Sequence, residues 1–374
     1  MARHENVFIV IGTRPEAIKM APLILAYQEK SPETNVNVCI TGQHRDLVMP
    51  VLKLFHINKY IAFDVMTHGQ DLASLTGLLI NKMTSEVRRI KPDCIVAQGD
   101  TTSVFAASLV AYYERIPFAH IEAGLRTYNL QSPFPEEMNR RVADLLSDFL
   151  FAPTELAKMS LINEGVPSDK IYVTGNTVVD AARIVGNMPD SVSPLYEDEY
   201  HSDKRIVLVT THRRESFGQT MNGICEAIRK LAQKYQRNNI VFIFPVHPNP
   251  NVKVTVETHL RDTENVMLIP PLDYHSLITL IKRSELILTD SGGLQEEAPT
   301  FGVPVVVMRQ TTERPEGVES GVAVLAGTQP SNIINIASRF LDGNRLKRSS
   351  RKLINPYGDG YAADKIVDVL SGIN

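Results

Sequence analysis

The sequence predicts an α/β fold built from two domains that each carry a parallel β-sheet covered by helices. Short apolar runs alternate with amphipathic helical stretches along nearly the whole chain, a pattern typical of right-handed βαβ units. The chain has 374 residues, more than one hydrophobic core usually serves, so two domains are expected. Polar clusters follow the apolar runs, and ligands bind at the carboxyl ends of parallel strands. We therefore expect two Rossmann-like domains that face a cleft.

The first half of the chain contains six β-branched, apolar runs that predict strands. They occupy residues 7–11, 36–41, 94–98, 118–121, 149–152 and 171–174. Amphipathic stretches predict helices at 48–55, 72–90 and 104–114, and a further helix that opens within 133–141. The first helix should begin at Thr13, which suits a cap, with Pro15 in its first turn, and end near Tyr27.

The second half repeats this alternation. Strands are predicted at 206–209, 241–244, 266–269, 286–289 and 305–308, and helices at 221–235, 274–283, 331–341 and 365–370. A stretch rich in Pro, Ser, Asp and Glu separates the two series and suggests a linker. The expected boundaries are 1–186 for the N-terminal domain, 187–204 for the linker and 205–354 for the C-terminal domain.

Composition and charge exclude several classes of partner. Charged residues are 22% of the chain and the net charge is −3, so nucleic acid or an anionic membrane is not expected as the main partner. Cys39, Cys94 and Cys225 lie far apart, which predicts neither disulfides nor a CxxC metal site. No apolar run approaches the roughly 20 residues of a membrane helix, and the N-terminus lacks a signal-peptide core. We expect a cytoplasmic protein.

A glycine-rich turn with the sequence DSGGLQEEAP occupies residues 290–299, directly after a predicted strand. Paired glycines let the backbone approach a ligand, and the free amides of a helix's first turn attract an anion such as phosphate. The same residues suit an ordinary βα turn in which Ser291 caps a helix while Glu296 and Glu297 complement its dipole. This stretch by itself leaves both interpretations open.

Many charged residues lie in or near the turns that follow the predicted strands. The cationic ones are Arg14, Lys19, Arg126, Arg140, His212, Arg213, Arg214, His247 and Arg314, and the acidic ones are Asp100, Glu122, Glu136, Glu296 and Glu297. Each could be a helix cap, a solvated side chain or a hydrogen-bonded core residue. Together they exceed what turns of a parallel sheet need, and they would supply cations for a diphosphate and carboxylates for acid–base catalysis.

The sequence lacks the common cofactor fingerprints. Residues 11–16 contain one glycine and do not match GxGxxG, and neither a P-loop nor an HExxH motif occurs. We therefore expect no NAD or other bound cofactor and no catalytic zinc.

Eight sequence blocks, in order along nearly the whole chain, resemble those of the non-hydrolysing bacterial UDP-N-acetylglucosamine 2-epimerases. They are GTRPEAIK (12–19), GDT (99–101), HIEAGLR (120–126), PEEMNR (135–140), THRRE (211–215), DSGGLQEEAP (290–299), TERPE (312–316) and NPYGDG (355–360). The resemblance implies a glycosyltransferase-B-like fold with the active site between the two domains. It also implies a C-terminal helix, 361–374, that packs back on the N-terminal domain, and a homodimer.

The family's reaction, which the resemblance implies here, is the reversible C2 epimerisation of UDP-N-acetylglucosamine to UDP-N-acetylmannosamine for surface polysaccharides such as capsules. No ketone acidifies the C2 hydrogen, and the missing NAD fingerprint disfavours transient oxidation. In the family, UDP is eliminated to give 2-acetamidoglucal and is then added back. A proton must leave one face of the sugar and return to the other, which is a physical reason for several carboxylates.

The family's motifs also imply roles for individual residues. Asp100, Glu122 and Glu136 are implied to be the acid–base set, with His212 near the departing diphosphate. Arg14, Lys19, Arg213 and the amides of Ser291, Gly292 and Gly293 would hold phosphates, and Glu297 would hold the ribose. The full set of implied substrate-binding residues is Arg14, Lys19, Gln43, Arg213, His247, Ser291, Gly292, Gly293, Glu297 and Arg314.

The chain departs from the family pattern at a regulatory nucleotide site that several bacterial members possess beside the active site. Gln43 belongs to that region, and Asp46 and Gly69 stand where regulated members tend to carry Gln and Arg. A carboxylate repels a diphosphate and glycine offers no donor side chain, so we expect weak or absent allosteric activation.

Four other activities share parts of this pattern. A relative that acts on UDP-2,3-diacetamido-glucuronic acid would keep the fold and change the sugar. A glycosyltransferase would need an acceptor groove, and a hydrolysing epimerase would release free N-acetylmannosamine. A non-catalytic UDP-sugar-binding regulator would not need the acidic residues at 100, 122 and 136, and their presence favours the epimerase.

Overall fold

The computed structural model describes residues 4–42, 45–66, 69–343 and 354–372. The chain folds into two compact units. Met1–Ala181 and Tyr357–Asn374 form the N-terminal unit, and Ala182–Pro356 forms the C-terminal unit. The stretch 187–204 contains the buried Tyr196, whose hydroxyl donates to the carbonyl of Ser276 at 3.3 Å within the C-terminal unit.

The N-terminal unit contains a parallel sheet with helices between successive strands. Its strands are β1 (Asn6–Ile11), β2 (Asn35–Ile40), β3 (Ile61–Ala62), β4 (Cys94–Gln98), β5 (Phe118–Ile121), β6 (Phe149–Ala152) and β7 (Ile171–Val173). Its helices are α1 (Arg14–Lys30), α2 (Arg45–Leu54), α3 (Leu72–Ile90), α4 (Thr102–Glu114), α5 (Glu136–Leu145), α6 (Glu155–Asn163) and the first part of α7 (Thr177–Gly186).

The strand order of this sheet is β3-β2-β1-β4-β5-β6-β7. This is the doubly wound order of a Rossmann fold with one additional edge strand. Strand β1 lies between β2 and β4, so that Ile9 pairs with both Val38 and Val96. The winding reverses between β1 and β4, and the loops that follow these two strands therefore form the switch point at which open α/β sheets bind ligands.

The C-terminal unit repeats the same architecture with a second parallel sheet. Its strands are β8 (Arg205–Thr210), β9 (Ile240–Pro245), β10 (Val266–Ile269), β11 (Ser284–Thr289), β12 (Val305–Val307) and β13 (Ala323–Leu325). Its helices are α8 (Glu197–His201), α9 (Gln219–Tyr235), α10 (Pro250–Leu260), α11 (Tyr274–Arg283), α12 (Gly292–Glu297), α13 (Pro315–Glu319) and α14 (Pro330–Leu341).

The strand order of the second sheet is β10-β9-β8-β11-β12-β13, which is again the Rossmann order. Leu208 of β8 pairs with Ile243 of β9 and Ile287 of β11. The switch point lies between β8 and β11, beside the loops that begin at Thr211 and Asp290. The α/β fold class expected from the sequence is confirmed.

The predicted strands are confirmed, and β4, β5, β6 and β10 have the predicted bounds. Helices cover both faces of each sheet, so the strands are buried on both sides and appear in the sequence as continuous apolar runs. Strands β3 and β13 were not predicted. Strand β3 has only two residues, whereas β13 has three, as do β7 and β12, which were predicted. The three cysteines are buried free thiols, as expected for Cys39 and Cys94.

One of the two interpretations left open for the 290–299 turn, in which Glu296 and Glu297 complement the helix dipole, is wrong. Helix α12 begins at Gly292 with Ser291 as its N-cap, as predicted, but it has only six residues. Glu296 and Glu297 therefore lie in its last turn, where they cannot complement the positive end of the dipole. Both side chains are buried and make specific contacts instead.

The chain ends in helix α15 (Ala362–Ser371), which packs on α1 in the N-terminal unit. Lys30 of α1 pairs with Asp368, and the amide of Ala363 donates to Asp180 at 2.8 Å. Among the residues that the structure describes, no helix combines the length and apolar character needed to cross a membrane.

Candidate active site

Asp100 follows β4 at the switch point of the N-terminal unit, and helix α5 holds it in two ways. Arg140 donates to the Asp100 carboxylate, and the Asn139 side chain donates to the Asp100 carbonyl at 2.9 Å. The Asp100 side chain is 29% exposed, while that of Arg140 is 11% exposed. Asp100 is thus a fixed carboxylate that remains open to solvent on one side.

Glu122 follows β5, the strand next to β4, and its carboxylate is nearly buried. Lys19 of α1 pairs with it at 2.5 Å, and the side chains of Gln98 and Asn176 also donate to it. Its backbone adopts a left-handed conformation, with φ +67°, which is uncommon outside glycine. Three elements therefore position this carboxylate, and the ammonium of Lys19 stabilises its charge.

Glu136 begins α5, and one of its carboxylate oxygens is buried without a partner. Among the described residues, Oε2 of Glu136 accepts no hydrogen bond. Its neighbour Glu137 is fully buried and accepts from the amides of Thr127 and Tyr128 at 3.0 Å, so that it holds the preceding loop. A buried, unpartnered carboxylate oxygen is rare in native structures and is often associated with function.

Glu16 is a buried residue that sequence reasoning did not assign to the site. Its carboxylate accepts from the amides of Gly12 and Thr13 at 2.5 and 2.6 Å and from the hydroxyl of Thr101 at 2.5 Å. Burial raises the pKa of Glu16 to about 7, although the three hydrogen bonds that its carboxylate accepts act in the opposite direction. The sequence signals for it were its position three residues after the cap Thr13 and its place in the GTRPEAIK block.

Arg126, one of the cations in the strand-end turns, is committed to carboxylates of its own unit. It pairs with Asp144 and with Glu164, each at 2.7 Å, and its side chain is 1% exposed. Asp144 also contacts His120 Nδ1 at 2.6 Å, and the opposite ring nitrogen of His120 lies 2.7 Å from the Gly99 carbonyl. This buried network holds the β4 and β5 loops and does not present a cation to a ligand.

Asp290 organises the switch point of the C-terminal unit. Its fully buried carboxylate accepts from the hydroxyls of Thr211 and Ser216 at 2.7 and 2.9 Å. The amides of His212 and Arg213 also donate to it, at 3.1 and 3.0 Å. One carboxylate at the end of β11 therefore fixes the whole loop that follows β8.

His212 projects from this loop and remains partly exposed. Its Nδ1 lies 3.4 Å from Asp290 Oδ1, and its ring stacks on His247 with centroids 5.9 Å apart. Partial burial lowers the pKa of His212, and the carboxylate of Asp290 opposes this only in part. A neutral imidazole at neutral pH follows, which can accept or donate a proton.

Arg213 belongs to a cluster with Glu313 and Arg309. Glu313 accepts from Arg213 at 3.0 Å and from both terminal nitrogens of Arg309 at 2.6 and 3.0 Å. Burial alone would raise the pKa of Glu313, but the hydrogen bonds from Arg309 and the charges of both arginines lower it to about 2. Gly292 lies against this cluster, since a Cβ there would be 3.3 Å from Arg213 Nη2.

Arg314 and Glu296 form a second ion pair in the C-terminal unit. The carbonyl of Glu296 accepts from the Asn355 side chain at 2.9 Å, which links α12 to the NPYGDG block. Glu297 is buried on the same short helix, and its Oε2 would lie 3.9 Å from a Cβ at Gly293. Within the 290–299 turn, Asp290 therefore anchors the loop that follows β8, whereas the side chain of Glu297 lies close to Gly293.

The chain matches the family model described as UDP-N-acetylglucosamine 2-epimerase over residues 26–371. It is 43% identical to the UDP-N-acetylglucosamine 2-epimerase of Neisseria meningitidis, over 98% of this chain and 99% of that protein. The chain belongs to the UDP-N-acetylglucosamine 2-epimerase family. This confirms the resemblance drawn from the sequence blocks, and membership makes the protein an epimerase, that is, an isomerase.

Other similar proteins bear the same family name. The Escherichia coli K12 UDP-N-acetylglucosamine 2-epimerase is 43% identical, over 98% of each chain. A crystal structure of the Neisseria meningitidis enzyme bound to UDP-GlcNAc matches with a TM-score of 0.89 and 43% identity, over 98% of this chain and 99% of that chain. A Listeria monocytogenes structure described as a putative UDP-N-acetylglucosamine 2-epimerase matches with the same TM-score, 42% identity and coverage of 98% and 96%.

The structure describes most of the residues that the family motifs imply, and they are distributed over both units. Asp100, Glu122, Glu136, Arg14 and Lys19 lie in the N-terminal unit, and His212, Arg213, His247, Ser291, Gly292, Gly293, Glu297 and Arg314 lie in the C-terminal unit. Gln43 lies outside the described residues. Within the described ranges, no group of three or more His, Cys, Asp or Glu side chains is arranged to hold a metal ion.

Proposed function

We propose that this family member interconverts UDP-N-acetylglucosamine and UDP-N-acetylmannosamine without hydrolysing either. The observation that carries the proposal is a set of three acidic residues in one α/β unit. Asp100 and Glu122 follow β4 and β5, and Glu136 begins α5, the helix whose Asn139 and Arg140 contact Asp100. The Neisseria meningitidis structure has UDP-GlcNAc bound, which supports this sugar nucleotide as the substrate.

The proposed reaction is an elimination followed by a re-addition. A carboxylate takes the C2 proton, the C–H electron pair forms a C1=C2 double bond, and the C1–O bond breaks with its electrons going to the β-phosphate oxygen of UDP. The intermediates are 2-acetamidoglucal and UDP. UDP then adds back at C1 while a second acidic group delivers a proton to the opposite face of C2. Electrons and protons balance without an oxidant.

The acid–base roles are assigned to Asp100, Glu122 and Glu136. Arg140 pairs with Asp100 and Lys19 pairs with Glu122, so both carboxylates are held in fixed positions, which suits groups that must meet the sugar in a defined geometry. The buried, unpartnered Oε2 of Glu136 suits a group that exchanges a proton with the sugar.

The nucleotide is assigned mainly to the C-terminal unit. Arg213 and the amides of Gly292 and Gly293 would bind the diphosphate, with Arg14, Lys19, His247 and Arg314 as further contacts, and Glu297 would accept from the ribose hydroxyls. Ser291 would contact the phosphates through its side chain, because its amide donates to the Thr289 hydroxyl at 2.9 Å. His212, neutral at neutral pH, would assist at the departing oxygen. Gln43 remains a proposed ligand-binding residue.

Three broader features also remain proposals. The protein would act as a homodimer in the cytoplasm and would supply N-acetylmannosamine units for surface polysaccharide.

Proton NMR of the purified protein with UDP-N-acetylglucosamine in D2O, without NAD, tests the proposed function. UDP-N-acetylmannosamine should appear, and the C2 proton signals of both epimers should fade as deuterium enters. Free N-acetylmannosamine would indicate hydrolysis, and an unchanged spectrum would refute epimerisation of this sugar. UDP-2,3-diacetamido-glucuronic acid, assayed in parallel, identifies the alternative substrate. The same assay can be applied to Asp100→Asn, and Asp262→Asn, at an exposed position, is the matched control for that change from acid to amide.

A further inference from the structure

The carboxylate of Glu16 connects the two loops of the N-terminal switch point. Its Oε2 accepts from the amides of Gly12 and Thr13, which follow β1, and its Oε1 accepts from the hydroxyl of Thr101, which follows β4. Glu16 is 3% exposed, so these contacts compete with little water. A single side chain thus fixes the distance between two loops that have no covalent link nearby.

The side chain of Thr101 contacts Glu16 and does not cap helix α4. It is the N-cap residue of α4, and a threonine there normally accepts from an amide of the helix's first turn. Within the described chain, its side chain makes no such capping bond and donates to Glu16 instead. Thr101 directly follows Asp100, so the contact restrains the backbone that carries that carboxylate.

The two loops also pack closely at Gly12. A Cβ at Gly12 would lie 2.4 Å from Ser103 Oγ and 2.9 Å from Glu16 Oε2. The Ser103 hydroxyl in turn lies 2.9 Å from the hydroxyl of Thr41, at the end of β2. The β1 loop therefore fits against the start of α4 only with glycine at position 12.

We propose that Glu16 is a positioning residue that acts through Thr101 to place Asp100 for its acid–base role. Arg140 and Asn139 of α5 hold Asp100 from one direction, and Glu16 holds the following residue from α1. The inference rests on the proposed function, because it requires that Asp100 exchange a proton with the substrate. Displacement of a reacting group by about 1 Å can cost about 100-fold in rate, so a restraint of this kind affects turnover.

Thr101→Val tests the inference because it removes the hydroxyl and keeps the side-chain shape. We expect kcat to fall roughly 10- to 100-fold while KM stays within about twofold, since a misplaced base slows chemistry more than binding. Thr101→Ser retains the hydroxyl and should recover most of the loss. Thr76→Val is the matched control, because the Thr76 hydroxyl donates to the Leu72 carbonyl on α3, and kcat should not change.

Two further variants distinguish positioning from general stabilisation. Glu16→Gln can still accept from both amides and can donate to Thr101, so it should retain more activity than Thr101→Val. In Glu16→Ala combined with Thr101→Val, the loss in kcat should be no larger than in Glu16→Ala alone, because both changes break one connection. A Thr101→Val protein with normal kcat, or with a lower Tm as its sole defect, would overturn the inference. An inactive wild-type protein would instead overturn the proposed function, and this inference with it.

Discussion

Replacing Asp290 by alanine tests whether one buried carboxylate holds the loop that carries His212. The change removes the acceptor for two hydroxyls and two backbone amides, at distances of 2.7 to 3.1 Å. A buried donor left without an acceptor costs about 1–3 kcal/mol. The loop can turn some of these donors toward water because His212 is partly exposed, so we expect a loss of about 3 kcal/mol in the free energy of opening the loop.

Hydrogen exchange at the amides of His212 and Arg213 measures this quantity directly. A loss of about 3 kcal/mol should accelerate their exchange about 100-fold, provided that exchange occurs through local opening. Asp290→Asn should have a smaller effect, about tenfold, because its amide oxygen can replace Oδ2 and keep the bonds from Thr211, Arg213 and Ser216. Asp262→Ala is the control for loss of an exposed charge.

The reasoning is refuted if Asp290→Ala leaves exchange at both amides within about twofold of wild type while the far-UV spectrum shows an intact fold. It is also refuted if exchange accelerates equally throughout the sheet of the C-terminal unit, because that result would indicate global destabilisation. The expected pattern is an effect confined to residues 211–216.

Three other predictions follow from the geometry of the two units. Asp100→Asn should lower kcat by about 10²–10⁴-fold and slow C2 deuterium uptake equally, and near-normal turnover measured by NMR would contradict its acid–base role. Gly292→Ala should raise KM roughly threefold or more, since its Cβ would lie 3.3 Å from Arg213 Nη2, and an unchanged KM in steady-state assays would argue against phosphate binding there. Burial would raise the pKa of Glu313, but Arg309 and Arg213 stabilise its charge and lower the pKa to about 2. The lowered pKa corresponds to at most about 3 kcal/mol in the free energy of unfolding. This contribution is present above about pH 4.5 and is lost progressively as the pH falls toward 2. The difference in Tm between wild type and Glu313→Gln should therefore narrow between about pH 6 and pH 3, and a constant difference would contradict the ion-pair explanation.

The sequence was sufficient for the fold because parallel strands covered on both faces leave a strong signal. Strands such as β4 and β5 are continuous apolar runs with defined ends, and their bounds were predicted without error. The edge strand β3, with two residues, is too short for any periodicity to appear. The N-cap Ser291 was predicted correctly, but Glu296 and Glu297 are the fifth and sixth residues of α12 and lie beyond its first turn, so they cannot complement the positive end of the helix dipole.

The candidate site was predictable as a set of positions but not as a set of contacts. Asp100 and Glu122 were expected at strand ends, where they lie, but their partners are 40 and 103 residues away in the sequence. No local pattern could pair Lys19 with Glu122. Asp290 was interpreted as part of an anion-binding turn, and its role as the anchor of the β8 loop depends on strand order, which pairs β8 with β11.

Positional isotope exchange tests the central claim, cleavage of the C1–O bond, most directly. UDP-N-acetylglucosamine labelled with ¹⁸O in the bridge between C1 and the β-phosphorus is incubated with the protein and followed by ³¹P NMR. If UDP leaves as proposed, its β-phosphate rotates and the label moves into non-bridging positions during epimerisation. Epimerisation and C2 deuterium uptake with the label retained in the bridge would contradict the elimination mechanism.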